Sequence, residues 1–341
     1  MRPLMAGLRQ AFLLFDMFSY NKLQCTVDEA AERTTEDEVW LSHSEGYLLL
    51  QDLLDMDTPS GDEDIISDWL FEWITARIPA ARLTKLGASL VAVRGEPKTA
   101  VFAHTDTTGY TLGYGNLLVP VGGPHPKSGD KFWMAGNRNI VGIANYDRKH
   151  DSWHLTEADG EPGSRWTYAS KPEIIGGEVH APYLDNRGGV WAALVTLLRS
   201  ENIAVAFTSG EEHNSVGATV CARHLFDKYG IEQALISDLT WDTDHVHIGQ
   251  GVAVSRRDHN VPRQRFLNRI LDLAAQSGKP FQIEIETSGS SDAGGIQRSG
   301  CPMDWLFVGA PERNPHTSVE SVAIADLRSM ADMLTYLVER L

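Results

Sequence analysis

The chain is poor in cysteine: its 341 residues include only three, Cys25, Cys221 and Cys301. They lie far apart, and no two have the CxxC spacing of a metal or redox site. The sequence therefore excludes a disulfide framework and favours a reducing compartment, for which we predict the cytoplasm.

The chain also lacks a long apolar run. A membrane-spanning helix needs about 20 apolar residues, and no stretch of the sequence comes close to that length. The N-terminal segment has Arg2, Arg9 and a short apolar run, but Asp16 interrupts this run and no clear cleavage site follows. We expect neither a membrane span nor secretion.

Positive charge is scarce as well. The 30 Lys and Arg residues are outnumbered by 46 Asp and Glu residues, which gives a formal net charge of −16. Such a chain has no general electrostatic attraction for nucleic acid or for an anionic membrane, so neither is expected as a partner. An acidic chain can instead attract metal cations.

The sequence does contain an alternation of apolar strands and amphipathic helices. Strands are predicted at "TAVFAH", "IAVAFTSG", "ALISDLT" and "MDWLFVG", and helices at "GGVWAALVTLLRS", "SVGATVCARHLF" and "VAIADLRSMADMLTYLVERL". Ser60 and Glu63 have the spacing of a capping box and predict the start of another helix. This alternation predicts an α/β fold with a mostly parallel central sheet flanked by helices.

The stretch 110–180 differs from the rest, because it is rich in Gly, Pro, Asn and aromatic residues and shows no helical period. Its short alternating runs predict a small inserted all-β domain, and the alternative is one long loop. We therefore expect a catalytic domain formed by residues 44–109 and 181–341. Residues 1–43 are expected to form an N-terminal arm, whose role the sequence does not reveal.

Five segments place a His, Asp or Glu at the end of a predicted strand or in the loop that follows it. These residues are His104 with Asp106, Asp185, Glu211 with Glu212, Asp238, and His316. Functional groups gather at the carboxyl ends of the strands in such sheets. Chance could supply any one of them, but five segments together indicate a shared site.

Two imidazoles and several carboxylates suit a divalent metal ion, with zinc favoured and cobalt or manganese as alternatives. The number of ligands exceeds what one catalytic zinc needs and matches two ions that share a bridging carboxylate. This explains why two glutamates are adjacent: one can bind metal while the other transfers protons.

These motifs resemble the M42 family of metallopeptidases, of the glutamyl aminopeptidase or tetrahedral aminopeptidase type. The matching stretches are "AHTDTTG", "YLDNRGG", "SGEEHNSVGA", "SDLTWDTD", "SDAGGIQRSGCP" and "GAPERNPHTSVESV", in the order of the family. The resemblance covers roughly residues 45–341 and implies a phosphorylase/hydrolase-like fold. It also implies that the inserted domain serves oligomerisation, from dimers to dodecamers.

The resemblance implies a role for each motif residue. Asp185 would bridge two metal ions, with His104 and Asp238 completing one site and Glu212 and His316 completing the other. Among the remaining residues, Glu211 would be the general base and Asp106 would orient His104. The peptide bond between Asp185 and Asn186 is often cis in such enzymes.

One residue near these motifs is expected to contact substrate. Asp292 lies in "SGSSDAGG", which we interpret as a tight loop at the site, and the alternative is an ordinary turn-forming Asp. The chain departs from the family pattern at Asn186, Asn314 and Thr317, which leaves substrate preference open.

We therefore expect a dimetal aminopeptidase that hydrolyses N-terminal residues from peptides. An amidohydrolase of N-acyl amino acids with the same site is the alternative. A metal-binding scaffold without activity is less consistent with the intact set of site residues.

Overall fold

The computed structural model describes residues 45–341, so the predicted arm at residues 1–43 lies outside the described part. This part contains seven α-helices. They are α1 (Glu45–Leu54), α2 (Asp64–Arg77), α3 (Leu184–Arg199), α4 (Val216–Tyr229), α5 (Gln264–Gln276), α6 (Ala293–Arg298) and α7 (Ile324–Val338).

The described residues also form 17 strands, which fall into two sheets. They are β1 (Arg82–Leu86), β2 (Ser89–Arg94), β3 (Thr99–His104), β4 (Gly109–Leu112), β5 (Leu118–Val121), β6 (Lys131–Met134), β7 (Asn137–Asp147), β8 (Ser152–Thr156), β9 (Arg165–Tyr168), β10 (Glu173–Ile175), β11 (Glu178–Ala181), β12 (Ile203–Thr208), β13 (Gln233–Trp241), β14 (Val252–Ser255), β15 (Phe281–Glu284), β16 (Asp304–Arg313) and β17 (Glu320–Ala323).

The large sheet has 11 strands, in the order β1-β2-β12-β3-β13-β16-β17-β11-β10, and β14 branches from β16 to pair with β15. The four strands at its centre, β12, β3, β13 and β16, are mutually parallel. Strands on both sides of this centre pair antiparallel, as β2 does with β12 and β17 with β16. The predicted α/β architecture is confirmed, and its parallel part is the centre that carries the candidate site.

Helices cover both faces of this sheet, which explains why the central strands are buried along most of their length. Residues of α1, α2, α3, α5 and α7 pack on one face, around side chains such as Val101, Val205 and Leu306. Helices α4 and α6 pack on the other face, against Phe102 and Ile236. Strands buried on two faces are typical of parallel sheets.

The smaller sheet is antiparallel and has six strands, in the order β5-β4-β9-β6-β7-β8. Its core is aromatic and includes Tyr110, Phe132, Trp166 and Tyr168. This sheet fits the predicted inserted all-β domain rather than a long loop. Its strands span residues 109–168, while β10 and β11 pair with the large sheet.

The predicted capping box is wrong. Helix α2 begins at Asp64, and its N-cap residue Glu63 makes no side-chain capping bond. Ser60 Oγ instead donates a hydrogen bond to Asp106 (2.5 Å), and Glu63 accepts one from the backbone N–H of Gly210 (3.0 Å). Both side chains are buried, so tertiary partners replace the local cap. No helix of the described residues has the length and apolar character needed to span a membrane.

Candidate active site

The sequence-predicted site residues meet at the carboxyl edge of the central parallel strands. His104 is the last residue of β3, and Asp238 lies in β13. The turn with Glu211 and Glu212 follows β12, and His316 follows β16. Asp185 lies in the irregular first turn of α3. Five segments that are distant in sequence thus supply one cluster.

Three of these residues form a first triad. His104 Nε2 lies 3.1 Å from Asp185 Oδ1 and 3.5 Å from Asp238 Oδ1. One possible ligand atom from each residue lies within 4.8 Å of those of the other two, which is the spacing of a candidate metal site.

A second triad shares Asp185 with the first. His316 Nε2 lies 3.2 Å from Asp185 Oδ2 and 3.6 Å from Glu212 Oε2. One possible ligand atom from each of these three residues also lies within 4.8 Å of those of the other two. Because the two histidines approach different oxygens of one carboxylate, Asp185 lies between the two triads.

Backbone carbonyls orient both imidazole rings. Nδ1 of His316 lies 3.0 Å from the carbonyl oxygen of Gly123, and Nδ1 of His104 lies 3.2 Å from that of Asp106. A carbonyl oxygen can only accept, so Nδ1 carries the proton in each ring. The other nitrogen, Nε2, therefore faces the carboxylates, as in the usual arrangement of metal-binding histidines.

The two triads contain more carboxyl groups than imidazoles, and bound cations would balance their charge. Burial opposes protonation of His316, but the carboxylates of Glu212 and Asp185 outweigh it and raise its pKa to about 10. Burial, together with the charge of Asp185, raises the pKa of Glu212 to about 8. Burial likewise raises the pKa of Asp238 to about 6. Glu212 and His316 thus hold protons near neutral pH that a divalent ion would displace.

A buried oxygen without a hydrogen-bond partner also indicates a cation site. Glu212 Oε1 is buried and has no hydrogen-bond partner among the described residues. Leaving a buried carboxylate oxygen unpaired is costly unless a ligand completes it. The imidazole and carboxylate donors of the two triads therefore fit two divalent ions better than they fit a purely structural hydrogen-bond network.

The turn that presents the two glutamates is held by Asp106. Its carboxylate accepts hydrogen bonds from the backbone N–H of Glu211 (2.9 Å) and of Glu212 (3.1 Å) and from Ser60 Oγ. These bonds and the proximity of His104 outweigh burial and lower the pKa of Asp106. Asp106 contacts His104 mainly through its backbone carbonyl, since its carboxylate is 3.6 Å from the ring.

Glu211 belongs to neither triad. Burial, together with the charges of Glu212 and Asp238, raises its pKa well above the usual value, although His104 opposes this shift. The environment therefore favours a protonated carboxyl on Glu211, beside a residue whose carboxylate is directed at the second triad. The two adjacent glutamates therefore have different surroundings.

The start of α3 is built around Asn186. The peptide bond between Asp185 and Asn186 is cis, as the resemblance implied. The Asn186 side-chain amide donates to the carbonyl of Ser237 (2.9 Å), and its oxygen accepts from Gly189 N–H (2.9 Å). An aspartate could not donate the first bond. A Cβ on Gly189 would lie 2.0 Å from Asn186 Oδ1, so only glycine fits there.

Sequence reasoning missed Glu320, which connects two site segments. Its carboxylate accepts from the backbone N–H of Asp185 (3.1 Å) and of His316 (2.8 Å). Glu320 is buried, and burial raises its pKa to about 8. Its only sequence signal was its place in "TSVESV", four residues after His316.

Asp292 lies at the N-terminus of α6 and is buried. Thr208 Oγ1 donates to its Oδ2 (2.5 Å), while its Oδ1 has no partner among the described residues. The charge of Asp292 also contributes to the raised pKa of Glu211, so Asp292 lies near the site. The short helix α6 follows directly where the sequence had predicted a tight loop.

The match to a family model shows the family of the chain. The model of the M42 glutamyl aminopeptidases matches residues 147–333, more than half of the 341 residues. The chain belongs to the M42 family. This M42 protein is therefore a peptidase, an enzyme that hydrolyses peptide bonds.

Individual relatives agree with the family. A protein of Acetivibrio thermocellus, named for an inferred aminopeptidase activity, is 25% identical over 313 residues, which are 81% of this chain and 93% of the relative. Aminopeptidase APDkam598 of Desulfurococcus kamchatkensis superposes with a TM-score of 0.78 at 18% identity, over 90% of this chain and 96% of that one.

The TET1 peptidase of Pyrococcus horikoshii superposes with a TM-score of 0.72 at 20% identity, over 87% of this chain and 100% of its own. At these identities, both solved structures establish that the fold of the M42 protein is shared with them.

Proposed function

We propose that this M42 peptidase is a dimetal aminopeptidase that removes N-terminal residues from peptides. The observation that carries the proposal is the position of Asp185, whose two carboxylate oxygens lie 3.1 Å from His104 Nε2 and 3.2 Å from His316 Nε2. A carboxylate shared in this way suits the bridge of a two-metal site. Relatives named as aminopeptidases support N-terminal residues as the target.

The five proposed metal ligands are His104, Asp185, Asp238, Glu212 and His316. Their mixture of imidazole and carboxylate donors favours zinc, and cobalt or manganese also accept it. When bound, two such ions would polarise the scissile carbonyl and lower the pKa of the attacking water.

Glu211 is the proposed general base. Its carboxylate accepts a proton from the attacking water as the water oxygen bonds to the scissile carbonyl carbon. The same carboxyl group then gives the proton to the leaving amine nitrogen as the peptide bond breaks. Burial and neighbouring carboxylates raise the pKa of Glu211, which makes its carboxylate a stronger base for the proton of the attacking water.

Asp292 is proposed to contact the substrate. Its unpartnered Oδ1 is a buried acceptor near Glu211, which suits the free ammonium group of a peptide N-terminus. The alternative, a turn-forming Asp, is less consistent with this geometry, because Asp292 makes no side-chain capping bond in α6.

We also propose that the M42 protein forms homo-oligomers, from dimers to dodecamers, through the inserted domain at residues 110–180. The name of the Pyrococcus horikoshii structure states that its peptidase can assemble into a tetrahedron or a large octahedral shell. A cytoplasmic location is proposed as well, since Cys221 and Cys301 are free thiols.

A substrate panel tests the activity. The zinc- or cobalt-loaded protein should hydrolyse aminoacyl anilides with a free α-amino group and leave N-acetyl amino acids intact. The opposite preference would instead support an amidohydrolase of N-acyl compounds that uses the same residues. No hydrolysis of either class, with both metals bound, would contradict the proposal.

A further inference from the structure

One loop of the smaller sheet reaches the second triad. Residues 122–130 connect β5 to β6, and Gly122 lies so near Glu212 that a Cβ at position 122 would be 3.1 Å from Glu212 Oε2. The next residue, Gly123, accepts the hydrogen bond from His316 Nδ1. This loop therefore forms one wall of the candidate active site, next to the turn that carries Glu212.

His125 extends from this wall over His316. The backbone N–H of His125 donates to the carbonyl of His316 (2.9 Å), and the two imidazole rings stack with centroids 6.2 Å apart and planes at 28°. Unlike His316, His125 is exposed, and its ring makes no hydrogen bond within residues 45–341. A donor-capable ring is thus placed beside a proposed metal ligand with its hydrogen-bonding capacity unused.

The segments next to His125 are anchored by hydrogen bonds. Tyr168 donates from its hydroxyl to the same His316 carbonyl (3.3 Å). Further along the loop, Asp130 accepts hydrogen bonds from Ser318 Oγ (3.1 Å) and from the backbone N–H of Lys127 (2.8 Å). The loop backbone is thus anchored beside His316, so the His125 side chain projects from a fixed point at the edge of the site.

We propose that His125 is a catalytic residue that donates an imidazole N–H to the scissile carbonyl oxygen while negative charge develops on that oxygen. The ring centroids of His125 and His316 are 6.2 Å apart and a hydrogen bond spans about 3 Å, so the proposal places the scissile oxygen beside His316 on the side of His125. The inference rests on the proposed peptidase reaction. It adds a donor from the smaller sheet to a site otherwise built by the large sheet.

Steady-state kinetics of the metal-loaded enzyme test the inference. His125→Ala should lower kcat for aminoacyl anilides about 100-fold with KM changed less than about threefold, because the bond forms mainly in the transition state. His125→Gln or His125→Asn, which keep an N–H donor, should recover at least about a tenth of the wild-type rate. The control His150→Ala removes an exposed histidine in the turn between β7 and β8 of the same sheet and should match wild type.

Binding gives a readout that does not need turnover. A phosphinic dipeptide analogue mimics the tetrahedral intermediate, and calorimetry should show at least tenfold weaker binding to His125→Ala, with unchanged binding of the free amino acid product. Bound metal, measured by mass spectrometry, should equal that of wild type.

Three other outcomes would overturn the inference. A loss of metal would make His125 a structural support of His316. An effect on KM alone would restrict it to ground-state binding, and kinetics equal to wild type would remove it from the reaction. If wild type itself hydrolysed no anilide, the proposed function would fail first, and weaker phosphinate binding by His125→Ala would still support the contact.

Discussion

Glu211 and Glu212 are adjacent in the chain but differ in what surrounds their carboxylates. Glu212 Oε2 lies 3.6 Å from His316 Nε2 and belongs to the second triad, whereas Glu211 belongs to neither triad. The distinction supports the proposal that Glu211 transfers protons and Glu212 binds metal. The two functions can be separated by the same substitution at each position.

Glu211→Gln should retain both metals and lose about 100- to 10,000-fold in kcat, because a glutamine cannot accept the proton of the attacking water. The matched variant Glu212→Gln should instead weaken metal binding, since it removes a charged ligand. Metal content by mass spectrometry and kcat under metal saturation distinguish the two. Near wild-type turnover by Glu211→Gln would show that another group is the base.

Glu284 provides a residue-scale test of stability outside the triads. Burial raises its pKa from 4.5 to about 7, although Thr240 donates a hydrogen bond to it. The folded state thus binds this proton more tightly than the unfolded state does. The resulting stabilisation is complete below about pH 4.5 and is lost as the pH rises through about 7.

Glu284→Gln should therefore raise the thermal unfolding temperature more at pH 8 than at pH 5. The gain in unfolding free energy at pH 8 should be up to about 2 to 3 kcal/mol. The nearby control Glu286→Gln should not raise the unfolding temperature, because Glu286 accepts three backbone N–H bonds that lower its pKa. An equal gain for Glu284→Gln at both pH values would show that no ionised carboxylate is being buried.

At the scale of elements, loops rather than strands complete the site. The strands deliver His104 and Asp238, while the turn after β12, the start of α3 and the loop after β16 deliver the other ligands. Buried carboxylates connect these segments: Asp106 holds the glutamate turn, and Glu320 joins Asp185 to His316. The precision of the site therefore depends on residues that are not themselves proposed as ligands.

Asp106→Asn tests that dependence. The side-chain oxygen of the asparagine can still accept a hydrogen bond. Its amide nitrogen is a donor, however, and would face another donor, either a backbone N–H of the turn or the hydroxyl of Ser60. We expect metal affinity to fall about 10- to 100-fold, with kcat/KM falling at least as far. Ser60→Ala removes one of three donors and should have the milder effect in the same titrations. Unchanged metal affinity and activity in Asp106→Asn would contradict the role of the turn.

The sequence was sufficient for the residues that follow apolar strands. His104, Asp238 and the glutamate pair could be found because buried parallel strands have a clear apolar pattern and their ends meet at one edge. Glu320 and His125 could not be found in this way, since each acts through contacts with the backbone or ring of a distant segment. The capping-box prediction for Ser60 and Glu63 was wrong for the same reason, because their partners, Asp106 and Gly210, are remote in sequence.

At the scale of the whole molecule, the exposed side chains of the smaller sheet bear on assembly. Val119 and Val141 are each about two-fifths exposed on this sheet. Apolar side chains of this kind, on an otherwise acidic chain, are consistent with burial between subunits. The proposed oligomer would cover them.

Light scattering should give a mass that is a multiple of the 37.7 kDa chain. The double variant with Val119→Asp and Val141→Asp should have a lower mass, because assembly would bury two charges between subunits. The control Ile65→Asp adds a charge at a residue that is half exposed on α2 of the main fold. Wild type that is monomeric, or a double variant that assembles like wild type, would argue against this surface.

The central claim is that Asp185 bridges two bound cations. Crystals grown with zinc and measured at the zinc absorption edge test it directly. Two anomalous peaks are expected per chain, one contacting His104 and Asp238, the other contacting Glu212 and His316, and both contacting Asp185. A single peak, or peaks that lie away from Asp185, would contradict it.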